Sequence, residues 1–236
     1  MSVELGTLLI TAISLGTFHT LIGIDHYIPF VALSKANHWK YLKTMAVVLI
    51  CGLGHVLSSV LLGLVGIWLG AELGLLQNID NISAFIAMWF LIGFGTLYAL
   101  WGVWRAYKNK PHRHTLPNGH LLEHTHHAKE HQLEDPSPKQ RQKIVFWGLF
   151  IVLVLGPCEP LIPLMFSASA ISAFAVGTII LIFGLFTIAT MLICTTLVLK
   201  GINLIKIQKW ERYGHIIAGV SLVLCGIVIL LFEMLA

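Results

Sequence analysis

Charge is what this chain has least of. Lys, Arg, Asp and Glu make up 11% of its 236 residues, against about 25% in a soluble domain. With 57% hydrophobic residues and a mean hydropathy of +0.84, it reads as an all-α polytopic membrane protein. No Lys or Arg falls in the interior of an apolar segment. There is no basic patch interleaved with aromatic residues, which excludes a nucleic-acid partner. The four cysteines, Cys51, Cys158, Cys194 and Cys225, stand inside apolar stretches and so are not the disulfide framework of a secreted domain. The opening Met-Ser-Val-Glu has neither a positive region nor a small-residue cleavage site. The first apolar segment is therefore expected to be a retained span and not a signal peptide.

What is present is a set of six long apolar segments, about 5–33, 42–70, 82–106, 144–168, 171–199 and 213–235. Each is long enough to cross a bilayer. All 15 Lys and Arg lie around three connections: Lys35 to Lys43, Arg105 to Lys143, and Lys200 to Arg212. Glu4, Glu72, Asp80 and Glu233 mark the opposite ends. The positive-inside rule then predicts both termini outside and three cytoplasmic loops. A bacterial-type inner or plasma membrane is the expected location. Division follows as an N-terminal three-helix repeat (1–106), a cytoplasmic His-rich loop (107–143) and a C-terminal three-helix repeat (144–236).

The first segment carries His19-Thr-Leu-Ile-Gly23-Ile24-Asp25-His26-Tyr27-Ile28-Pro29. A carboxylate in hydrocarbon is costly, and an intramembrane Asp marks a functional site by default. The fourth segment answers with Gly156-Pro157-Cys158-Glu159-Pro160-Leu161-Ile162-Pro163. Aligning Asp25 with Glu159 sets Pro29 on Pro163. In the second and fifth segments, His55 meets Thr187 and Ser58 meets Thr190. Three spans per half make this an inverted-topology repeat, the arrangement that places transporter sites near the midplane. Ser58, Thr187 and Thr190 are expected along the cavity, although Thr hydroxyls also bond back to their own helix.

On an unbroken helix His19 and His26 would stand about 10 Å apart along the axis, and Asp25 would point about 100° away from His26. One site using all three needs the helix unwound or kinked, and Gly23 and Pro29 supply the means. Pro29 has no N–H for the carbonyl of Asp25, and Pro157, Pro160 and Pro163 should break the fourth span more severely. Broken helices at membrane depth are tolerated where they line a cavity or pack against protein. Taken singly, His19 and His26 could be interhelical hydrogen-bond donors. Together, His19, Asp25, His26, His55, Cys158 and Glu159 form a candidate metal site. Imidazole, carboxylate and thiol suit Ni, Co, Zn or Cu better than Mg or Ca.

The loop adds His112, His114, His120, His124, His126, His127 and His131. Such tracts bind transition metals loosely, and their polar flanks read as disordered without metal. Gly63, Gly66 and Gly70 give small-residue spacing for close helix packing. His215 reads as an interfacial residue.

On His19…Asp25-His26-Tyr27-Ile28-Pro29-Phe30, Gly52-Leu53-Gly54-His55 and Gly156-Pro157-Cys158-Glu159-Pro160, the chain resembles a superfamily of several membrane-protein groups. It includes nickel/cobalt permeases, UreH-like and TauE/SafE-like proteins, and CcdA/DsbD-type electron carriers, with UreH-like proteins nearest. Nickel/cobalt permeases have four residues between the first His and Asp-His, where this chain has five, and usually eight spans. The resemblance implies metal binding at His19, Asp25, His26 and His55. The electron carriers use one cysteine in the first span and one in the fourth. Cys158 matches the second, whereas Ile24 holds the place of the first, so a relay would need Cys51 or Cys194.

The reading is therefore a transporter, not an enzyme, for a divalent transition-metal cation. Nickel or cobalt leads, with Zn or Cu open, and movement is by alternating access in the lipid bilayer. A homo-oligomer stays open. The alternatives are a CcdA-type thiol–disulfide electron carrier using Cys158, and an exporter of a small sulfur-containing anion.

Overall fold

The computed structural model describes residues 3–70, 73–108, 112–115, 121–124, 138–156, 158–204 and 213–235. Eight helices dominate them: α1 (Val3–Ile22), α2 (Ile28–Ala36), α3 (Tyr41–Leu69), α4 (Leu73–Lys108), α5 (Pro138–Leu155), α6 (Leu161–Ser169), α7 (Ala173–Leu204) and α8 (Gly214–Leu235). Long apolar runs become helices because hydrocarbon offers no other partner for backbone N–H and C=O groups. In five of them, α1, α3, α4, α7 and α8, the run is long and apolar enough to cross a membrane. The chain is an integral, polytopic helical membrane protein in contact with lipid.

The first and fourth expected spans differ from single helices. In the first, α1 stops at Ile22, a single 3-10 turn covers Ile24–His26, and α2 follows from Ile28. The interruption begins at Gly23, whose backbone is extended at φ −69° and ψ 92°. Pro29 is not the kink. It stands in the first turn of α2, where a missing N–H leaves no hydrogen bond broken. The stretch expected at 144–168 is divided between α5 and the nine-residue α6. Pro160 caps α6 and Pro163 lies in its first turn, positions that proline tolerates; Pro157 is outside the described residues.

α3 ends at Gly70 (φ 62°), whose N–H reaches the carbonyls of Gly66 and Ile67. This left-handed cap suits glycine because it has no Cβ to clash. Gly70 is thus a helix stop rather than the third member of a packing stripe. Gly63 and Gly66 do pack closely, against Met165 and Leu76.

α4 lies along α8, α1 along α7 and α3 along α5, with α2 against α8. Each of these contacts joins a helix before the His-rich loop to one after it. Along α4–α8 the backbones themselves touch. A Cβ on Gly219 would stand 2.4 Å from the Ala99 nitrogen, and one on Gly95 would stand 2.9 Å from the Gly219 carbonyl. Small residues permit that approach where no hydrophobic force drives helices together.

Two apolar clusters form the interior. One gathers Phe30, Leu33, Val48, Leu149 and Leu222 with Cys51 and Cys225. The other gathers Ala12, Val60, Leu161, Met165 and Phe183 with Cys158. Within the loop, His112–Thr115 pairs antiparallel with Leu121–His124, His112 opposite His124. Local order there was not expected of a solvated loop. His120, His126, His127 and His131 lie outside the described residues.

Candidate metal centre

The interruption at Gly23 brings His19 and His26 together. An unbroken helix would hold them about 10 Å apart along its axis, whereas here their ring centroids are 5.0 Å apart. His26 is also 5.0 Å from the ring of His55. His55 stands midway along α3, fourteen residues from either end. Among the described residues, His19, His26 and His55 form a group whose ligand atoms all lie within 4.8 Å of one another.

Hydrogen bonding turns the rings toward each other. Nδ1 of His55 donates to the Leu153 carbonyl at 3.0 Å. A carbonyl can only accept, so the His55 hydrogen is on Nδ1 and Nε2 keeps its lone pair. Nδ1 of His26 lies 3.1 Å from the Gly23 carbonyl and 3.2 Å from Oδ1 of Asp25, again acceptors. The two Nε2 atoms then face each other at 3.3 Å. With both Nδ1 atoms committed, that pair can share one hydrogen or offer two lone pairs to a cation. Tetrahedral coordination with metal–nitrogen bonds of about 2.0–2.1 Å separates neighbouring nitrogens by about 3.3 Å. The spacing of His26 and His55 already matches that separation.

The cluster opens into a cavity of about 480 Å³ lined by His19, Asp25, His26, His55 and Glu159, with Met88, Leu91 and Val228 among its apolar walls. Asp25 is placed on the far nitrogen of His26, so it orients that ring rather than joining the three ligand atoms. Such carboxylate–histidine pairs are common behind metal ligands. Glu159 contributes a second carboxylate to the wall.

Cys158 is not brought to the histidines. It is fully buried among Ala12, Val56, Leu161 and Met165, and its backbone N–H donates to the hydroxyl of Ser59. None of Ser58, Thr187 and Thr190 is among the residues lining this cavity. Ser58 donates to the His55 carbonyl and Thr190 to the Phe186 carbonyl. Thr187 is fully buried, facing Gly16 of α1. His215 pairs with Tyr98 and Arg105 at the far end of α8.

Three contributors were not singled out for these roles from the sequence. Leu153 and Ser59 act through one carbonyl and one hydroxyl, which no residue pattern announces. Gly23 was read as a point of flexibility, but it also supplies space. A Cβ there would fall 2.5 Å from Nδ1 of His26.

No curated protein and no solved structure matches the chain. Residues 28–228 match the family described as cytochrome c biogenesis protein transmembrane region. The match covers α2 through most of α8 and leaves His19, Asp25 and His26 outside it. Spanning well over half of the sequence, it shows that the chain belongs to the cytochrome c biogenesis transmembrane-region family.

Proposed function

We propose that the protein carries a divalent transition-metal cation across the membrane and holds it at His19, His26 and His55. The observation that carries this reading is the 3.3 Å separation of the His26 and His55 Nε2 atoms, with His19 within reach of both. Imidazole nitrogen suits Ni, Co, Zn and Cu. Among these, nickel and cobalt are preferred because of the likeness to nickel/cobalt permeases. Asp25 and Glu159 supply negative charge beside the ion. The chain acts as a transporter and not as an enzyme.

In this proposal the interrupted pair α5–α6 serves as the fourth of six crossings. Both termini face outward, and the His-rich loop buffers metal in the cytoplasm of a bacterial-type inner membrane. The crosswise pairing of α1 with α7 and of α3 with α5 supports two inverted three-helix repeats. That pairing also moves the gating away from rocking of separate halves and toward the two interrupted helices.

A second reading is a thiol–disulfide electron carrier, and the family match favours it over metal transport. Cys158, following Gly156-Pro157, is its residue. Dithiol exchange needs two sulfurs in contact, and the first interruption offers Ile24 and histidines instead. Cys51 and Cys225 pack in the other apolar cluster from Cys158.

The deciding experiment is uptake of Ni, Co, Zn, Cu and Mn into proteoliposomes. The parent is compared with Asp25→Asn/Glu159→Gln and with a variant having serine at all four cysteine positions. Selective flux lost in the first and kept in the second supports metal transport. Thiol-dependent electron transfer lost in the cysteine variant, without flux of any metal, supports the second reading.

A further inference from the structure

Among the described residues, the His-rich loop holds one antiparallel ribbon, His112–Thr115 paired with Leu121–His124. The five residues between the strands read Leu-Pro-Asn-Gly-His. Pro, Asn and Gly are the residues that tight turns require, so the sequence supports the ribbon independently of the pairing. The register sets His112 opposite His124, Arg113 opposite Glu123, His114 opposite Leu122 and Thr115 opposite Leu121. Successive residues of a strand alternate between its two faces. His112, His114 and His124 therefore share one face with Leu122. The pair of opposite charge, Arg113 and Glu123, belongs to the other. Directly opposite residues have Cβ atoms about 4.5–5.5 Å apart, and diagonal neighbours stand about 7–8 Å apart, within reach of long side chains. His112 is the direct partner of His124, and His114 is the diagonal one.

We propose that His112, His114 and His124 form a second metal site, on one face of this ribbon, for a zinc- or cobalt-type divalent cation. Three imidazoles hold such an ion in tetrahedral coordination with the fourth position left to water. A set of nitrogens alone does not suit Mg or Ca, which take oxygen. Two strands by themselves are marginal in water, so an ion that joins them adds its binding free energy to the stability of the ribbon. Three of the loop's seven histidines thus make a defined site rather than part of a diffuse tract. The proposal narrows the buffering role given to the loop above, and it stands whether or not the membrane histidines carry an ion.

The test titrates Co(II) into the full chain in lipid nanodiscs, in a His55→Ala background that removes a ligand of the membrane centre. Tetrahedral Co(II) absorbs strongly in the visible and octahedral Co(II) weakly, so the spectrum reports the geometry. The background protein is expected to bind one tetrahedral ion per chain. His112→Gln/His114→Gln/His124→Gln should lose it. His112→Arg/Arg113→His should lose it too, because the exchange keeps the composition of the loop and moves one histidine to the other face. Binding by a diffuse tract would not register that exchange. No tetrahedral ion in the background protein, or one kept in either variant, overturns the proposal. Where His55→Ala does not fold, the same two variants are made in the parent, and each should bind one ion fewer than the parent does. A parent that binds no more Co(II) than His55→Ala removes the membrane centre and leaves the ribbon site standing.

Discussion

The hydroxyl of Ser59 accepts the backbone N–H of Cys158. The main chain of Cys158 is thereby tied to α3, while the residue is enclosed by the cluster of Ala12, Val60 and Phe183. On the metal reading its sulfur fills space and touches no ion. Cys158→Ala is then expected to keep metal uptake close to the parent, with a stability cost of about 1 kcal/mol for the atom removed. Proteoliposome flux and thermal unfolding of the same preparation check both halves. Loss of uptake in a folded Cys158→Ala protein would return the thiol to the centre of the mechanism.

Asp25 and the histidines should separate in their effects. His26 and His55 present the two Nε2 atoms 3.3 Å apart, while Asp25 stands 3.2 Å behind His26 on Nδ1. His26→Ala or His55→Ala is expected to abolish metal binding. Asp25→Asn should weaken it by about 10- to 100-fold without abolishing it, as partners behind a ligand usually do. Calorimetric titration of Ni and Co into detergent-purified protein measures both. An Asp25→Asn protein with no affinity left would make the carboxylate a direct ligand.

How far the sequence disclosed the site depends on the kind of group. Long apolar runs announced a helical membrane protein, because only closed backbone hydrogen bonding survives in lipid. His19, Asp25 and His26 declared themselves by polarity in an apolar segment, and Gly23 by the need to unwind the helix between them. Position along the chain did not disclose where breaks act. Pro29 looked like the kink, yet a proline in the first turn of α2 fits without strain. Adjacency in the chain did not disclose that Cys158 and Glu159 part company in the fold: past the second interruption, one packs inward and the other lines the cavity. The partners of His55 and Cys158, a carbonyl and a serine hydroxyl from distant segments, follow from packing that residue spacing does not encode.

Gly23 should be intolerant of any side chain. Its backbone angles are open to alanine, so the constraint is space: a Cβ would stand 2.5 Å from Nδ1 of His26 and 3.0 Å from the His19 carbonyl. Gly23→Ala is expected to fold with unchanged helical content, because the residue lies between helices and not within one. It should displace the His26 ring from its carbonyl and carboxylate. Loss of metal affinity with an unaltered circular dichroism spectrum is the anticipated pair of results. Retained affinity would show that the ring has another place to go.

The α4–α8 contact bears on how the molecule can move. A Cβ on Gly219 would meet main-chain atoms of Ala99 at 2.4 and 2.6 Å, and backbone cannot step aside as a flexible side chain can. Gly219→Ala should therefore lower stability by about 1–3 kcal/mol, the usual cost of overpacking. A Cβ on Gly93 of α4 would meet none of the described residues within 4 Å outside its own stretch of helix, so Gly93→Ala should leave the unfolding temperature unchanged or slightly raised. Parallel thermal unfolding of the two variants in one detergent makes the comparison. If both behave alike, α4 and α8 separate at little cost, and on the metal-transport reading rocking of the two halves becomes available as the motion. If Gly219→Ala alone is damaged, α4 and α8 form a fixed spine, and on the metal-transport reading alternating access would have to come from the interrupted helices around His26 and Glu159.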